Sequence, residues 1–328
     1  MCTAITYQTK DHYFGRTLDY EISYGEKIVI TPRNYRFHFR EVQSLEQHYA
    51  IIGMALIIDN SPLYYDATNE HGLSAAGLNF PGNAFYKEIM NGKENIASFE
   101  LIPWILGQCK NLNEAKEKLK SMNLVNLDYS KQLPATPLHW MFADKEKSMV
   151  VEATESGLHI YDNPVGVLTN NPTFDMQLFY LNNFMSMSVD SPVNHWPKGL
   201  LLKTYSRGMG AMGLPGDLSS MSRFVRAAFT KMHSVSGTAE YESISQFFHI
   251  LGSVTQQRGC VRLENGTYEK TIYTSCCNMD QGIYYYTTYE NHQICAVDMY
   301  EENLDCCDLI AYPLVDGEQI FWQNLSSN

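Results

Sequence analysis

Residues 2 to 19 read as a nucleophile followed at once by a β-hairpin, and that order limits what the chain can become. Ala4 to Thr9 and His12 to Asp19 are short extended segments separated by a polar Lys10-Asp11 turn. A hairpin this close to the start holds the N-terminus inside a sheet. Cys2 stands immediately before it. The residue after Met1 is small, so removal of the initiating methionine is expected, and Cys2 then carries a thiol and a free amine on one residue. With unperturbed pKa values of about 8.5 and about 7.7–8.0, the two groups trade protons near neutral pH. The result is a nucleophile with a built-in base.

The rest of the chain continues the sheet. Strand-like runs are expected at Lys27 to Thr31, Tyr49 to Leu56 and Leu73 to Phe80. Between Ser98 and Met122 the period becomes helical, with Leu112, Ala115, Leu119 and Met122 on one face and Asn113 as the start signal of a second helix. A second block of strands follows at Leu138 to Ala143, Ser148 to Thr154 and Leu158 to Tyr161, and its tight polar spacers predict an antiparallel meander. Met185 to Gly216 has no period and carries Pro192, Pro197 and Pro215, which predicts a long ordered excursion suited to assembly. Helices return with Val225, Ala228, Phe229 and Met232 on one face and Ile244, Phe247, Phe248 and Leu251 on another. Strands close the chain at Lys270 to Ser275, Gly282 to Tyr289 and Gln293 to Met299. The order predicts one domain over residues 1–328, an α+β sandwich with sheet packed on sheet and helices outside.

Composition excludes several classes. The net charge of −12, with no basic block, argues against nucleic acid and anionic membranes as partners. No run of about 18 apolar residues and no signal-peptide pattern occurs, so a cytoplasmic protein is expected. The eight cysteines, among them the adjacent pairs Cys276–Cys277 and Cys306–Cys307, lack C-x-x-C spacing and read as thiols. The ten histidines form no metal-ligand pattern, so neither a metal nor a cofactor is expected. Gly208-Met-Gly-Ala-Met-Gly213 matches G-x-G-x-x-G, but Leu214-Pro215-Gly216 follows where a helix must open, which argues against a dinucleotide site.

Acyl transfer at Cys2 requires an anion to hold the amine, cations to favour negative sulfur, and donors for an oxyanion. Arg16 and Asp19 lie on the hairpin, within reach of Cys2, and read either as that pair of charges or as a surface ion pair. Asn79 and Asn170 each stand near a strand end two residues before a proline, as turn formers or as oxyanion donors. Arg223 falls near a helix start, where its charge opposes the dipole and calls for a compensating partner.

Together these residues resemble the choloylglycine hydrolase family of N-terminal-nucleophile amidases, and within it the bile salt hydrolases. The matching stretches are Met1-Cys-Thr3, Phe14-Gly-Arg-Thr-Leu-Asp19, Asn69-Glu-His-Gly-Leu73, Gly77-Leu-Asn-Phe-Pro81, Leu168-Thr-Asn170, Gly213-Leu-Pro-Gly-Asp217 with Ser222-Arg-Phe224, and Tyr284-Tyr-Tyr-Thr-Thr-Tyr289. They run in family order over nearly the whole chain. Thr17 departs from the Asn common at that place.

The resemblance implies a four-layer αββα fold, a homotetramer, and hydrolysis of glycine- or taurine-conjugated bile salts through a thioester. By that resemblance Cys2 is the nucleophile and its amine the base. Asp19 holds the amine, Arg16 and Arg223 stabilise the thiolate, and Asn79 and Asn170 form the oxyanion hole. Penicillin V acylases share the fold but tend to carry Tyr at the place of Asn79, which favours bile salts. Alternatives are a penicillin V or acyl-homoserine-lactone acylase and, from another class, a non-catalytic sterol binder. The expected acyl pocket is walled by three loops, Tyr20 to Tyr24, Asp59 to Tyr65 and Tyr129 to Pro137, with Tyr20, Tyr24, Leu63, Tyr65, Leu133 and Pro137 as contacts.

Overall fold

The N-terminal hairpin forms, with β1 at Cys2–Gln8 and β2 at His12–Tyr20 paired so that Cys2 faces Leu18 and Ala4 faces Arg16. It is seen in a computed structural model that describes residues 1–324. The chain continues through β3 (Lys27–Thr31), β4 (Ile51–Ile58), β5 (Ser61–Asn69) and β6 (Ser74–Asn79). A parallel pair, β7 (Glu94–Ala97) and β8 (Met122–Val125), brackets helices α1 (Leu101–Leu106) and α2 (Leu112–Ser121). The expected meander is β9 (Leu138–Ala143), β10 (Ser148–Thr154) and β11 (Gly157–Asp162). The two-residue β12 (Val167–Leu168) and helix α3 (Phe174–Tyr180) lead to the excursion. Beyond it come α4 (Ser220–His233), α5 (Glu240–Gly252), β13 (Val261–Arg262), β14 (Tyr268–Asn278), β15 (Ile283–Thr288), β16 (Asn291–Asp298) and β17 (Ile310–Pro313).

Two large antiparallel sheets result. The first runs β12-β1-β2-β14-β15-β16, with β13 on β14; the second runs β11-β10-β9-β6-β5-β4-β3-β17. One core lies between the sheets and continues under α4 and α5, joining Ala4, Ile52, Leu78, Phe224 and Phe247. A second fills the outer face of the second sheet beneath α1 and α2, around Ile51, Trp104, Leu119 and Trp140. The architecture is the αββα sandwich. No helix among the described residues is long and apolar enough to cross a membrane.

Several local expectations change. Asp59 to Tyr65 is not a loop: Asp59 and Asn60, both left-handed, make a tight turn and Leu63 and Tyr65 lie on β5. Helix α2 is capped by Asn111, not started by Asn113, because the Asn111 side chain accepts from the amides of Asn113 and Glu114 at 3.0 and 3.1 Å. Met122 leaves that helix to begin β8. On α4, Val225 and Ala228 are buried but Met232, near the C-terminal end, is 57% exposed. From Met185 to Gly216 the chain has neither strand nor α-helix, and the G-x-G-x-x-G match falls there on a short 3₁₀ turn at Met209–Ala211 with no strand before it. All eight cysteines are free thiols.

Close approach dictates one glycine. A Cβ on Gly15 would lie 2.0 Å from the Ser275 carbonyl oxygen, so only glycine lets β14 sit this tightly against β2 beside Arg16. The second sheet is tied to the segment after β12 by a fully buried pair. His139 Nδ1 lies 2.9 Å from Glu152 Oε1, and its Nε2 lies 2.9 Å from the Thr169 carbonyl. Glu152 also accepts from the Phe174 amide that opens α3, at 3.1 Å. Removing one partner of such a pair leaves the other unmatched in the core. We therefore expect Glu152→Ala to lower the unfolding free energy by about 3–5 kcal/mol in a denaturant titration; a loss under about 1 kcal/mol would show that the pair holds nothing.

Candidate active site

Cys2 opens β1 at 3% exposure, pinned by β2 on one side and by the Thr169–Asn170 segment on the other. Its backbone nitrogen donates to Asn170 Oδ1 at 2.8 Å. Arg223, fully buried on the first turn of α4, spreads its guanidinium across the same ground. Nη1 donates to the Cys2 carbonyl at 2.6 Å and to Thr3 Oγ1 at 2.7 Å, Nη2 donates to Asn170 Oδ1 at 2.7 Å, and Nε donates to the Leu218 carbonyl at 2.9 Å. These acceptors are the compensation that a cation at a helix start requires. Asn170 in turn donates through Nδ2 to the Asn79 carbonyl at 2.7 Å, and its own amide donates to Ser220 Oγ at 2.8 Å. Since Arg223 can only donate, the side-chain oxygen and nitrogen of Asn170 are assigned unambiguously.

Arg16 and Asp19 are both fully buried, which removes the reading of a surface ion pair, and no ion pair joins them among the described residues. Arg16 Nη1 donates to the carbonyls of Gly77 at 2.5 Å and Tyr65 at 3.2 Å, and Nε to that of Thr17 at 3.2 Å. Its Nη2 is buried with no partner. Burial opposes the charge on Arg16, yet the facing Cys2 sulfur, Tyr273, Asp66 and Asp19 hold its pKa above the usual value. Arg223 goes the other way: burial lowers it against the pull of Asp19 and Cys2. Two buried guanidinium groups thus flank one sulfur.

Asp19 is held by hydroxyls. Thr271 Oγ1 donates to its Oδ1 at 2.6 Å and Thr17 Oγ1 to its Oδ2 at 3.1 Å. Thr17, the residue that departs from the family habit, also accepts from the Thr3 amide at 3.2 Å, so it still links β1 to Asp19. The Asp19 amide donates to the Met1 carbonyl at 2.9 Å, and the Met1 ammonium reaches the Asp19 carbonyl at 2.6 Å and the Glu269 carboxylate. Burial lowers the pKa of that ammonium, with Arg223 and Arg16 acting in the same sense and Cys2 and Asp19 against. Thr271, Glu269 and Asp66 were not expected at the site. Each sits in a strand or hairpin with no local signature, and only the β2–β14 and β4–β5 pairing brings it here.

Cys2, Arg16, Asp19 and Asn79 lie on one wall of a cavity of about 600 Å³. The six expected contact residues Tyr20, Tyr24, Leu63, Tyr65, Leu133 and Pro137 also line it, Tyr20 from the end of β2, Leu63 and Tyr65 from β5, and only the others from loops. Tyr129, at the start of the expected Tyr129 to Pro137 wall, and Leu56, Phe99, Ile102 and Trp140, which carry no signature in the sequence, complete an apolar and aromatic wall. Asn170 and Arg223 stand behind Cys2. Among the described residues no three His, Cys, Asp or Glu side chains come together to hold a metal ion. A thiol and a backbone nitrogen on one residue, two cations, an anion and two amides beside an apolar cavity can support attack on an amide carbonyl whose acyl part is bulky.

The comparisons with known proteins agree with that chemistry. A bile salt hydrolase/transferase of Lactiplantibacillus plantarum is 57% identical over 324 residues, 99% of this chain and 100% of that one. A second, from Clostridium perfringens, is 40% identical over 95% of this chain and 96% of its own length. A crystal structure of a mutant conjugated bile acid hydrolase from Clostridium perfringens superposes with a TM-score of 0.91 at 39% identity, covering 99% of this chain and 100% of that one. Penicillin V acylase from Agrobacterium tumefaciens shares the fold, with a TM-score of 0.75 at 19% identity over 96% of this chain and 92% of its own. The profile described as linear amide C–N hydrolases, choloylglycine hydrolase family, matches residues 2–312, and this chain belongs to that family.

Proposed function

We propose that the protein hydrolyses the amide bond of glycine- or taurine-conjugated bile salts, with Cys2 as nucleophile once Met1 has been removed. The observation that carries this reading is the position of the Cys2 backbone nitrogen, bonded to Asn170 and packed by Arg223 beside its own thiol, at the wall of a large apolar cavity. Loss of Met1 turns that nitrogen into a primary amine. The relatives named for bile salt hydrolysis at 57% and 40% identity support the choice of substrate.

The amine of Cys2 takes the thiol proton, and the sulfur attacks the amide carbon. Arg16 and Arg223 favour the negative sulfur by Coulomb attraction, which the burial of all three groups strengthens. Negative charge then develops on the carbonyl oxygen. Asn170 Nδ2 has one N–H committed to the Asn79 carbonyl and a second free to donate, and Asn79 contributes from the adjoining strand end. The Cys2 ammonium gives its proton to the leaving nitrogen as the C–N bond breaks, which releases glycine or taurine and leaves a thioester. Asp19 keeps that ammonium in place. Water attacks the thioester with the amine as base, the bile acid departs, and the thiol is restored. An amine in place of water would give transfer instead of hydrolysis, the second activity in the relatives' names.

Assembly and location complete the proposal. Val193, Trp196, Leu201 and Tyr205 of the excursion are 66–85% exposed. A chain that leaves such residues in water without a partner would be unusual. A homotetramer built over this segment, in a reducing cytoplasm suited to eight free thiols, accounts for both features.

Two experiments test these points. Cys2→Ala is expected to leave the circular dichroism spectrum and melting temperature of the fold in place and to lower glycine release from glycocholate by at least about 10³-fold; full activity in Cys2→Ala would exclude Cys2 as the nucleophile, and faster turnover of penicillin V than glycocholate by the unmodified enzyme would exclude the substrate. Leu201→Asp is expected to reduce a tetrameric mass in light scattering, whereas an undiminished tetramer would place the interface elsewhere.

A further inference from the structure

Glu269 is buried on β14 at 5% exposure, and among the described residues its carboxylate has one hydrogen-bond or ion-pair partner, the Met1 ammonium. The alternation of β14 puts Glu269 on the same face as Thr271, whose hydroxyl holds Asp19. Lys270 between them turns to the other face and is bonded to Glu290 at 2.7 Å. Removal of Met1 therefore leaves a buried carboxylate without its cation, a costly arrangement unless another takes its place.

The next cation is one residue away. Consecutive backbone nitrogens are at most about 3.6 Å apart, so a carboxylate in contact with the Met1 nitrogen stands within about 6 Å of the Cys2 nitrogen. Asp19 leaves room for a second anion. Thr271 Oγ1 and Thr17 Oγ1 already donate to its two carboxylate oxygens, and what it offers the terminal nitrogen is its carbonyl, at 2.6 Å. Charge points the same way. The groups that act on this nitrogen are Arg16 and Asp19 from β2, Arg223 from α4, the Cys2 thiol and Glu269. Two guanidinium groups against one carboxylate drive the proton off the amine; a second carboxylate evens the count.

We propose that Glu269 is a positioning residue of the mature enzyme: with Met1 removed, its carboxylate faces the Cys2 ammonium and, together with Asp19, holds it until the leaving nitrogen takes the proton. The proposal rests on the reading of Cys2 as a nucleophile with a freed amine. An opposite charge at this range favours the protonated amine, so loss of Glu269 lets the amine–thiol pair give up its first proton at lower pH. The sign is the same whether that proton leaves nitrogen or sulfur, since either loss lowers the charge beside Glu269 by one. The acid limb of Cys2 reactivity moves down with it.

The test follows the rate of Cys2 alkylation by iodoacetamide against pH, with Cys2 identified by peptide mass, in protein whose intact mass lacks Met1. Glu269→Gln is expected to lower the midpoint of the acid limb by about one pH unit, and the acid limb of kcat/KM for glycocholate should move with it. Glu264→Gln, on the exposed turn between β13 and β14, removes the same charge and should leave both limbs in place. A midpoint within about 0.2 pH unit of the unmodified one in Glu269→Gln at an unaltered melting temperature, or an equal movement in Glu264→Gln, overturns the proposal. If Glu269→Gln does not fold, Glu269→Asp draws the charge back by one methylene and is expected to lower the alkylation midpoint by about 0.3 pH unit, no movement again overturning the proposal. If the unmodified enzyme does not cleave glycocholate, the bile salt reading fails separately, and the alkylation profile still decides the role of Glu269.

Discussion

Asn170 Oδ1 accepts two hydrogen bonds at once, from the Cys2 nitrogen and from Arg223 Nη2, and the site depends on that shared acceptor. It fixes the start of β1 against the segment after β12. It also fixes the orientation of the Asn170 amide, so that Nδ2 faces Asn79. Three distant parts of the chain meet at one oxygen. Behind it, Thr169 continues the linkage: its carbonyl lies against His139, and its hydroxyl donates to Gln177 Oε1 at 3.0 Å while accepting from Ser220 Oγ. The network reaches from the second sheet through Cys2 to the first turn of α4.

Arg16 anchors the other side of Cys2. Its guanidinium is held by backbone carbonyls of Tyr65 and Gly77, which belong to the second sheet, while its own backbone belongs to the first. Asp66 stands between the sheets and accepts from Tyr273, Tyr284 and Ser275 at 2.6, 2.6 and 3.0 Å. Burial raises the pKa of its carboxyl, opposed first by Arg16 and then by those hydroxyls. The charge that faces the thiol is thus balanced inside the sandwich rather than at its surface, and the spacing of the two sheets sets where the cation sits.

Much of this was legible in the sequence, and the exceptions have physical causes. Strands such as Lys27–Thr31, Leu138–Ala143 and Ser148–Thr154 carry dense β-branched or apolar runs between turns, and they form with those bounds. β5 escaped because Asp59-Asn60 and Pro62 signal a turn, and β12 because two residues give no period. Asn113 looked like a cap by its neighbours, but capping is decided by which side chain reaches the free amides, and Asn111 does. The candidate site residues could be named because each has a type and a place in a motif. Thr271 and Asp66 could not, since their importance lies in contacts across strands, which leave no local pattern.

The central claim is that Cys2 acts through its own free amine, and the mass of the intact protein, taken on a preparation that releases glycine from glycocholate, tests it most directly. The account predicts that every active molecule has lost Met1, and that chains retaining it are inert. A preparation that keeps Met1 and turns over at full rate would contradict it.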